Sequence, residues 1–267
     1  MLRTCLLLAS ILLFSPAGAQ PAPDKWSELM RAGDAVRERR EFAKADTLYK
    51  EALQIAQKIG PADHRVAVTL GVMASLYEDA GDLSQVETLL KLALAVDMKA
   101  KGADDPAVAL RMNDLALYYK KHGRPAEAEP LYLRALAIDE KALGPNHPEV
   151  ATDLNNLGVL YRANRDYDKA EQAYKRALAI REKALGPAHR DVAMSLYSLA
   201  ILYDVQSKFP EAEQLYKRAL PVFEKALGPK HPNLATALEN YADMLRKLKR
   251  EPEAVQLETR AKAIRAK

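Results

Sequence analysis

Five glycines, Gly60, Gly102, Gly144, Gly186 and Gly228, stand 42 residues apart without drift. Each opens an eight-residue phrase ending in alanine: GPADHRVA, GADDPAVA, GPNHPEVA, GPAHRDVA and GPKHPNLA. A fixed period of this length is the signature of a stacked repeat, in which each unit buries its apolar face only against its neighbours. Such arrays offer long binding surfaces rather than enclosed catalytic pockets. The period therefore constrains the fold and, through it, the class of function.

One copy shows how the unit folds. In residues 142–185 a glycine, Gly144, ends an amphipathic run and suits the left-handed position just past a helix. Pro145 blocks continuation. Pro148 suits the first turn of the next helix, with His147 at or near its N-cap. Val150, Leu154, Leu157 and Tyr161 recur at helical spacing, which predicts a helix over about 148–163. Asn164 to Asp166 breaks it, and a second helix is expected over about 167–184, with Ala170, Tyr174, Ala177 and Leu178 on one face. The small residues Gly158 and Ala170 fall where the two helices must come closest. The same constellation recurs as six hairpins, over about 26–59, 67–101, 109–143, 151–185, 193–227 and 235–266.

The ends of the chain differ from this texture. Arg3, the apolar run Cys5 to Phe14 and the Ala17-Gly18-Ala19 tripeptide read as a secretory signal peptide over 1–19, cleaved after Ala19. The apolar run is too short to span a bilayer. Cys5, the single cysteine, lies in this segment, so a mature chain has no disulfide, thiol nucleophile or thiolate metal site. Residues 20–25 read as a short flexible lead-in. A periplasmic or secreted location is expected, without stable membrane insertion after cleavage. The formal net charge of +4 is weak for a nucleic-acid binder, and no nucleic-acid partner is expected. Residues 246–267 hold eight Lys or Arg and three Glu, a basic end that suits the solvated outer helix capping an array.

The Leu-Gly-Tyr-Ala-Tyr-Ala pattern of Leu157, Gly158, Tyr161, Ala170, Tyr174 and Ala177 resembles the tetratricopeptide repeat. The longer wording, GPxHPxVA through LNNLA to RALAIxEKALG, is similar to the lengthened repeats of kinesin light chains and their bacterial relatives. The resemblance covers essentially the whole mature chain. It implies an all-α fold, an α-α superhelix whose first helices line the concave face. It also implies that groove-facing asparagines hold the backbone of a bound peptide. Asn155 and Asn156 match both asparagine positions, Asn113 the first and Asn240 the second. The copies with Gly71-Val72 and Tyr197-Ser198 lack both, so the ladder is partial.

Positions that differ among copies on the groove face are the candidate site. They are Asn113, Leu117 and Lys120, then Asn155, Asn156, Val159 and Arg162, then Tyr197, Ile201 and Asp204. Each set is spaced by about one helical turn and forms a stripe. Leu117, Val159 and Ile201 are expected to make an apolar row with polar neighbours, a pattern that marks a partner surface unless the superhelix curls tightly enough to bury it. Lys120 and Arg162 suit an acidic partner.

The histidines invite a metal reading that spacing opposes. His147, His189 and His231 occupy one loop position in successive units. Packed helices lie about 8–10 Å apart, whereas zinc wants its nitrogens at about 2 Å. No metal or cofactor is expected. Motifs of nucleophilic, zinc-hydrolytic or phosphate-cradling chemistry are missing as well, so no catalytic residue is assigned. The function expected is that of an exported, non-enzymatic scaffold that binds a peptide or protein segment in its groove. The alternative is a structural or self-associating component of an envelope assembly that uses the array ends or convex face.

Overall fold

The computed structural model describes residues 24–266. The expected signal peptide over 1–19, its cleavage point and most of the lead-in lie outside the described residues. Twelve helices follow one another with no strand among the described residues: α1 (Lys25–Glu38), α2 (Phe42–Ile59), α3 (His64–Ala80), α4 (Val86–Lys101), α5 (Pro106–Lys121), α6 (Pro125–Leu143), α7 (Pro148–Ala163), α8 (Tyr167–Leu185), α9 (Arg190–Val205), α10 (Phe209–Leu227), α11 (Pro232–Lys247) and α12 (Glu251–Arg265). Odd and even helices pair as six hairpins, and each hairpin stacks on the next. First helices of successive hairpins also touch, α7 with α9 and α9 with α11, so they form the inner layer of the stack. This is the all-α superhelix that the period implies.

The caps explain the repeated loop phrase. Asp63, Asp105, His147, His189 and His231 are the N-caps of α3, α5, α7, α9 and α11. In each, the side chain accepts a hydrogen bond from the backbone N–H two residues on, at 2.8–3.2 Å. This satisfies one of the free donors at a helix start. Histidine and aspartate are interchangeable there because both present an acceptor, and for histidine that acceptor is an unprotonated Nδ1. The three loop histidines are therefore caps. The capped proline or its equivalent begins each first helix, so α7 starts at Pro148 rather than at the repeat boundary of 151. α1 likewise starts at Lys25, capped by Asp24, inside the stretch expected to be a lead-in.

One backbone expectation needs correction. Gly144 does not adopt the left-handed helical conformation. Its φ of 90° and ψ of 152° are a positive-φ, extended geometry that is essentially reserved for glycine. Gly102 has the same geometry with Ala103 after it, so the following proline is not the cause; the path between hairpins is.

The close approach inside the hairpin is borne out. A Cβ built on Gly158 would stand 2.5 Å from the ring of Tyr174. Gly33 is crowded in the same way by Tyr49, at 2.3 Å. Tyr49, Tyr132, Tyr174 and Tyr216 are fully buried and form a column through the stack, with alanines of both helices packed about them. The basic end is neutralised locally. Arg246 pairs with Glu251 and Glu258, Arg250 with Glu213 and Glu253, Arg260 with Glu224, and Arg265 with Glu239.

Candidate functional site

The inner layer carries the predicted stripe. All ten candidate residues lie on first helices: Asn113, Leu117 and Lys120 on α5, Asn155, Asn156, Val159 and Arg162 on α7, and Tyr197, Ile201 and Asp204 on α9. All ten are half-buried rather than open. Val159 and Tyr197 pack against the main core, and the Tyr197 ring meets those of Tyr216 and Phe223 edge-on at 6.2 and 6.1 Å. The apolar row is thus uneven: Val159 is partly structural, whereas Leu117 and Ile201 are half-buried outside that core cluster.

Three of the polar candidates are tied to the next hairpin. Asn113 Nδ2 donates to Asp153 Oδ1 at 2.5 Å. Asn240 Nδ2 donates to the Tyr197 hydroxyl. Lys247 Nζ bridges both oxygens of Asp204 at 2.8 Å. These bonds run between first helices of adjacent units, and the sequence pattern did not reveal them. They stitch the groove wall and leave those groups less available to a ligand.

The central cations are different. Neither Lys120 nor Arg162 closes a salt bridge among the described residues, although neighbouring Lys121 holds Glu78 at 3.0 Å. Burial pushes the Lys120 ammonium below its usual value, and the positive charges of Lys121 and Arg162 push the same way. Arg162 is also close to the Tyr174 and Tyr197 hydroxyls. The middle of the groove therefore concentrates positive charge next to the amides of Asn155 and Asn156. Asn155 Oδ1 is buried without a hydrogen-bond partner. Chemically, this surface can accept an anionic segment and hydrogen-bond to its backbone.

The joints between each second helix and the next first helix hold a further set of polar residues outside the predicted stripe. At the joint between α4 and α5, the fully buried Asp97 meets Arg111 Nε at 3.1 Å and His64 Nδ1 at 2.6 Å. One unit on, between α6 and α7, the equivalent residues are Asp139 and Asp153. One unit further, Arg181 of α8 donates to Ser195 Oγ of α9 at 2.8 Å and to Thr152 Oγ1 at 3.2 Å. At the last joint the positions are the apolar pair Phe223 and Ala237. The signal was available, since these residues recur at the 42-residue period and are the ones that break its apolar pattern.

Among the described residues, no helix is long and apolar enough to cross a membrane, and no three His, Cys, Asp or Glu side chains are grouped as a metal site. The tetratricopeptide repeat profile matches residues 27–99, 73–141, 107–183, 154–225 and 191–267, overlapping spans that cover the whole array. The chain belongs to the tetratricopeptide repeat family. A comparison with functionally characterised sequences gave no match. Among solved structures, this tetratricopeptide repeat chain is similar to BtubC (BKLC) of P. vanneervenii, with 24% identity over 92% of each chain and a TM-score of 0.68. It is also similar to the nearly identical, kinesin light chain-like repeats of Podosopora anserina, with 25% identity over 77% of this chain and 96% of that one, at a TM-score of 0.63. A Rap protein complexed with Competence and Sporulation Factor shares the fold at 16% identity, covering 91% of this chain and 75% of that one, with a TM-score of 0.61. Tetratricopeptide repeat proteins of this kind are protein–protein interaction scaffolds, and the family is generally non-catalytic.

Proposed function

We propose that this protein is an exported, non-enzymatic scaffold that holds an acidic segment of a protein partner along the inner face of α5, α7 and α9. The observation that carries this reading is the pair Lys120 and Arg162, two groove cations without a carboxylate, one of them depressed in pKa by burial and by its positive neighbours. An acidic side chain laid between them would relieve that repulsion and form charge-assisted hydrogen bonds. Asn155 and Asn156 would take the segment's backbone, and Leu117 and Ile201 its apolar side chains. The leader-like residues 1–19 support export to the periplasm or beyond. The Rap complex supports the capacity of this fold to hold a bound factor.

A photo-crosslinking amino acid at Asn156, in cells that export the protein, tests the reading. A discrete protein adduct is expected there, and it should be lost when Lys120→Glu and Arg162→Glu are combined. No adduct is expected from Lys175, which stands 58% exposed on the second helix α8. Adducts at Lys175 with none at Asn156 would overturn groove binding.

A further inference from the structure

The joint between α6 and α7 places two aspartates in a space where only one negative charge is tolerable. Asp139 is 6% exposed and Asp153 is 1% exposed. They occupy the positions that Asp97 and Arg111 hold one unit earlier, where the two side chains are in contact at 3.1 Å, so the two carboxyls are set against each other across the joint. Asp139 Oδ1 and Asp153 Oδ2 are both buried without a donor. A pair of carboxylates can satisfy two such oxygens with one proton, since the protonated acid donates and the ionised one accepts.

Among the described residues, no lysine or arginine pairs with either carboxyl. From α5, the group that faces Asp153 is the neutral amide of Asn113, while Arg111 and Asp114 of the same helix are joined to each other at 2.9 Å. From α6 comes the Tyr132 hydroxyl, buried and without a partner. At the start of α7, Glu149 adds negative charge and outweighs His147, which draws the Asp139 carboxyl down while its Nδ1 serves as the helix cap. From α8, Arg181 turns to Thr152, Ser195 and the Asp191 carbonyl. At the preceding joint, by contrast, the equivalent of Asp153 is Arg111, and the charge of Asp97 is met directly.

We propose that Asp139 and Asp153 share one proton at neutral pH, and that loss of this proton loosens the α6/α7 joint, making the middle of the superhelix a proton-sensitive hinge. Burial, above all, pushes both carboxyls above the ordinary aspartate value of 3.8, Asp153 the more strongly; the hydrogen bond from Asp153 eases the ionisation of Asp139, whose charge then opposes the ionisation of Asp153. The device reaches the groove, because the Asp153 oxygen that accepts from Asn113 belongs to the same pair. Deprotonation would leave two buried like charges at the joint and strengthen the pull of Asp153 on the Asn113 amide, changing the groove wall between the third and fourth hairpins.

A site-resolved titration of the aspartate carboxyl carbons by NMR, on the wild-type chain, tests the proposal directly. At least one of Asp139 and Asp153 should remain protonated at about pH 7, about three units above the midpoint of an ordinary aspartate. Its ionisation should be accompanied by shifts of the Asn113 amide and of backbone amides in α6 and α7. In Asp139→Asn, the midpoint of Asp153 should fall by about one unit or more, because its charged neighbour is gone. If both wild-type carboxyls are already ionised at about pH 7, or if they titrate without moving any amide at the joint, the proposal fails. The wild-type measurement decides this even if the variant does not fold.

Discussion

The α4/α5 and α6/α7 joints are built on one backbone plan and stabilised by opposite chemistry. Both put a second helix against the next first helix with a side-chain cap at the same position, Asp105 in one and His147 in the other. At the first, Asp97 faces Arg111; at the second, Asp139 faces Asp153. The difference teaches that the 42-residue frame is set by positions that do not change, which leaves the buried polar positions free to give each joint its own response. An ion pair without exposure is strongly coupled, because removing one member strands a desolvated charge. A pair of acids instead stores its coupling in a proton.

Two variants sharpen this comparison on the ion-paired side. Asp97→Ala should have the largest effect, since it leaves Arg111 buried with Asp114 as its only acid. A loss of about 3 kcal/mol is expected, read as a lowered urea midpoint. Little change would mean that water reaches this joint and that the two joints are less different than they look.

A smaller effect is expected from Glu213→Gln. Glu213 is held by Arg250 at 2.7 Å, by Lys217 at 2.6 Å and by the Tyr241 hydroxyl at 3.1 Å. The Arg250 hydrogen bond, above all, brings its carboxyl down to about 2 from the usual 4.5. Its contribution is therefore present above the unfolded value of 4.5 and lost as pH falls toward about 2. The substitution should cost about 1 kcal/mol at neutral pH and almost nothing at about pH 2, checked by melts at both. This sign is opposite to that of the acid pair, so a single pH scan separates the two kinds of joint.

Much of the fold was legible because packing repeats. The 42-residue spacing, the proline starts and the small residue at Gly158 follow from helix geometry, which a sequence displays directly; that the ring of Tyr174 fills the space beside Gly158 came from the structure. The loop histidines were legible as spacing, and the structure assigns them to caps. The site was legible as a face but not as a set of free groups. Asn113, Tyr197 and Asp204 lie on first helices, and their partners lie on the next first helix, at Asp153, Asn240 and Lys247. Which neighbour a polar side chain reaches depends on the rise and rotation between units, and neither is written in a single repeat. The acid pair went unnoticed for a related reason. Asp139 and Asp153 stand on core-facing positions, where the copies were compared for apolar content and not for charge.

The central claim, that joints sharing one frame differ through their buried polar residues, is tested most directly by thermal melts of the wild type and Asp139→Asn at about pH 5 and about pH 8.5. Both aspartates have folded values raised above the unfolded one. Their contribution is thus full below 3.8 and lost as pH rises through the raised values. The wild type should lose roughly 3–6 °C more than the variant between the two conditions, and the variant should be the more stable at the higher pH. Parallel pH dependence in the two proteins would contradict the account.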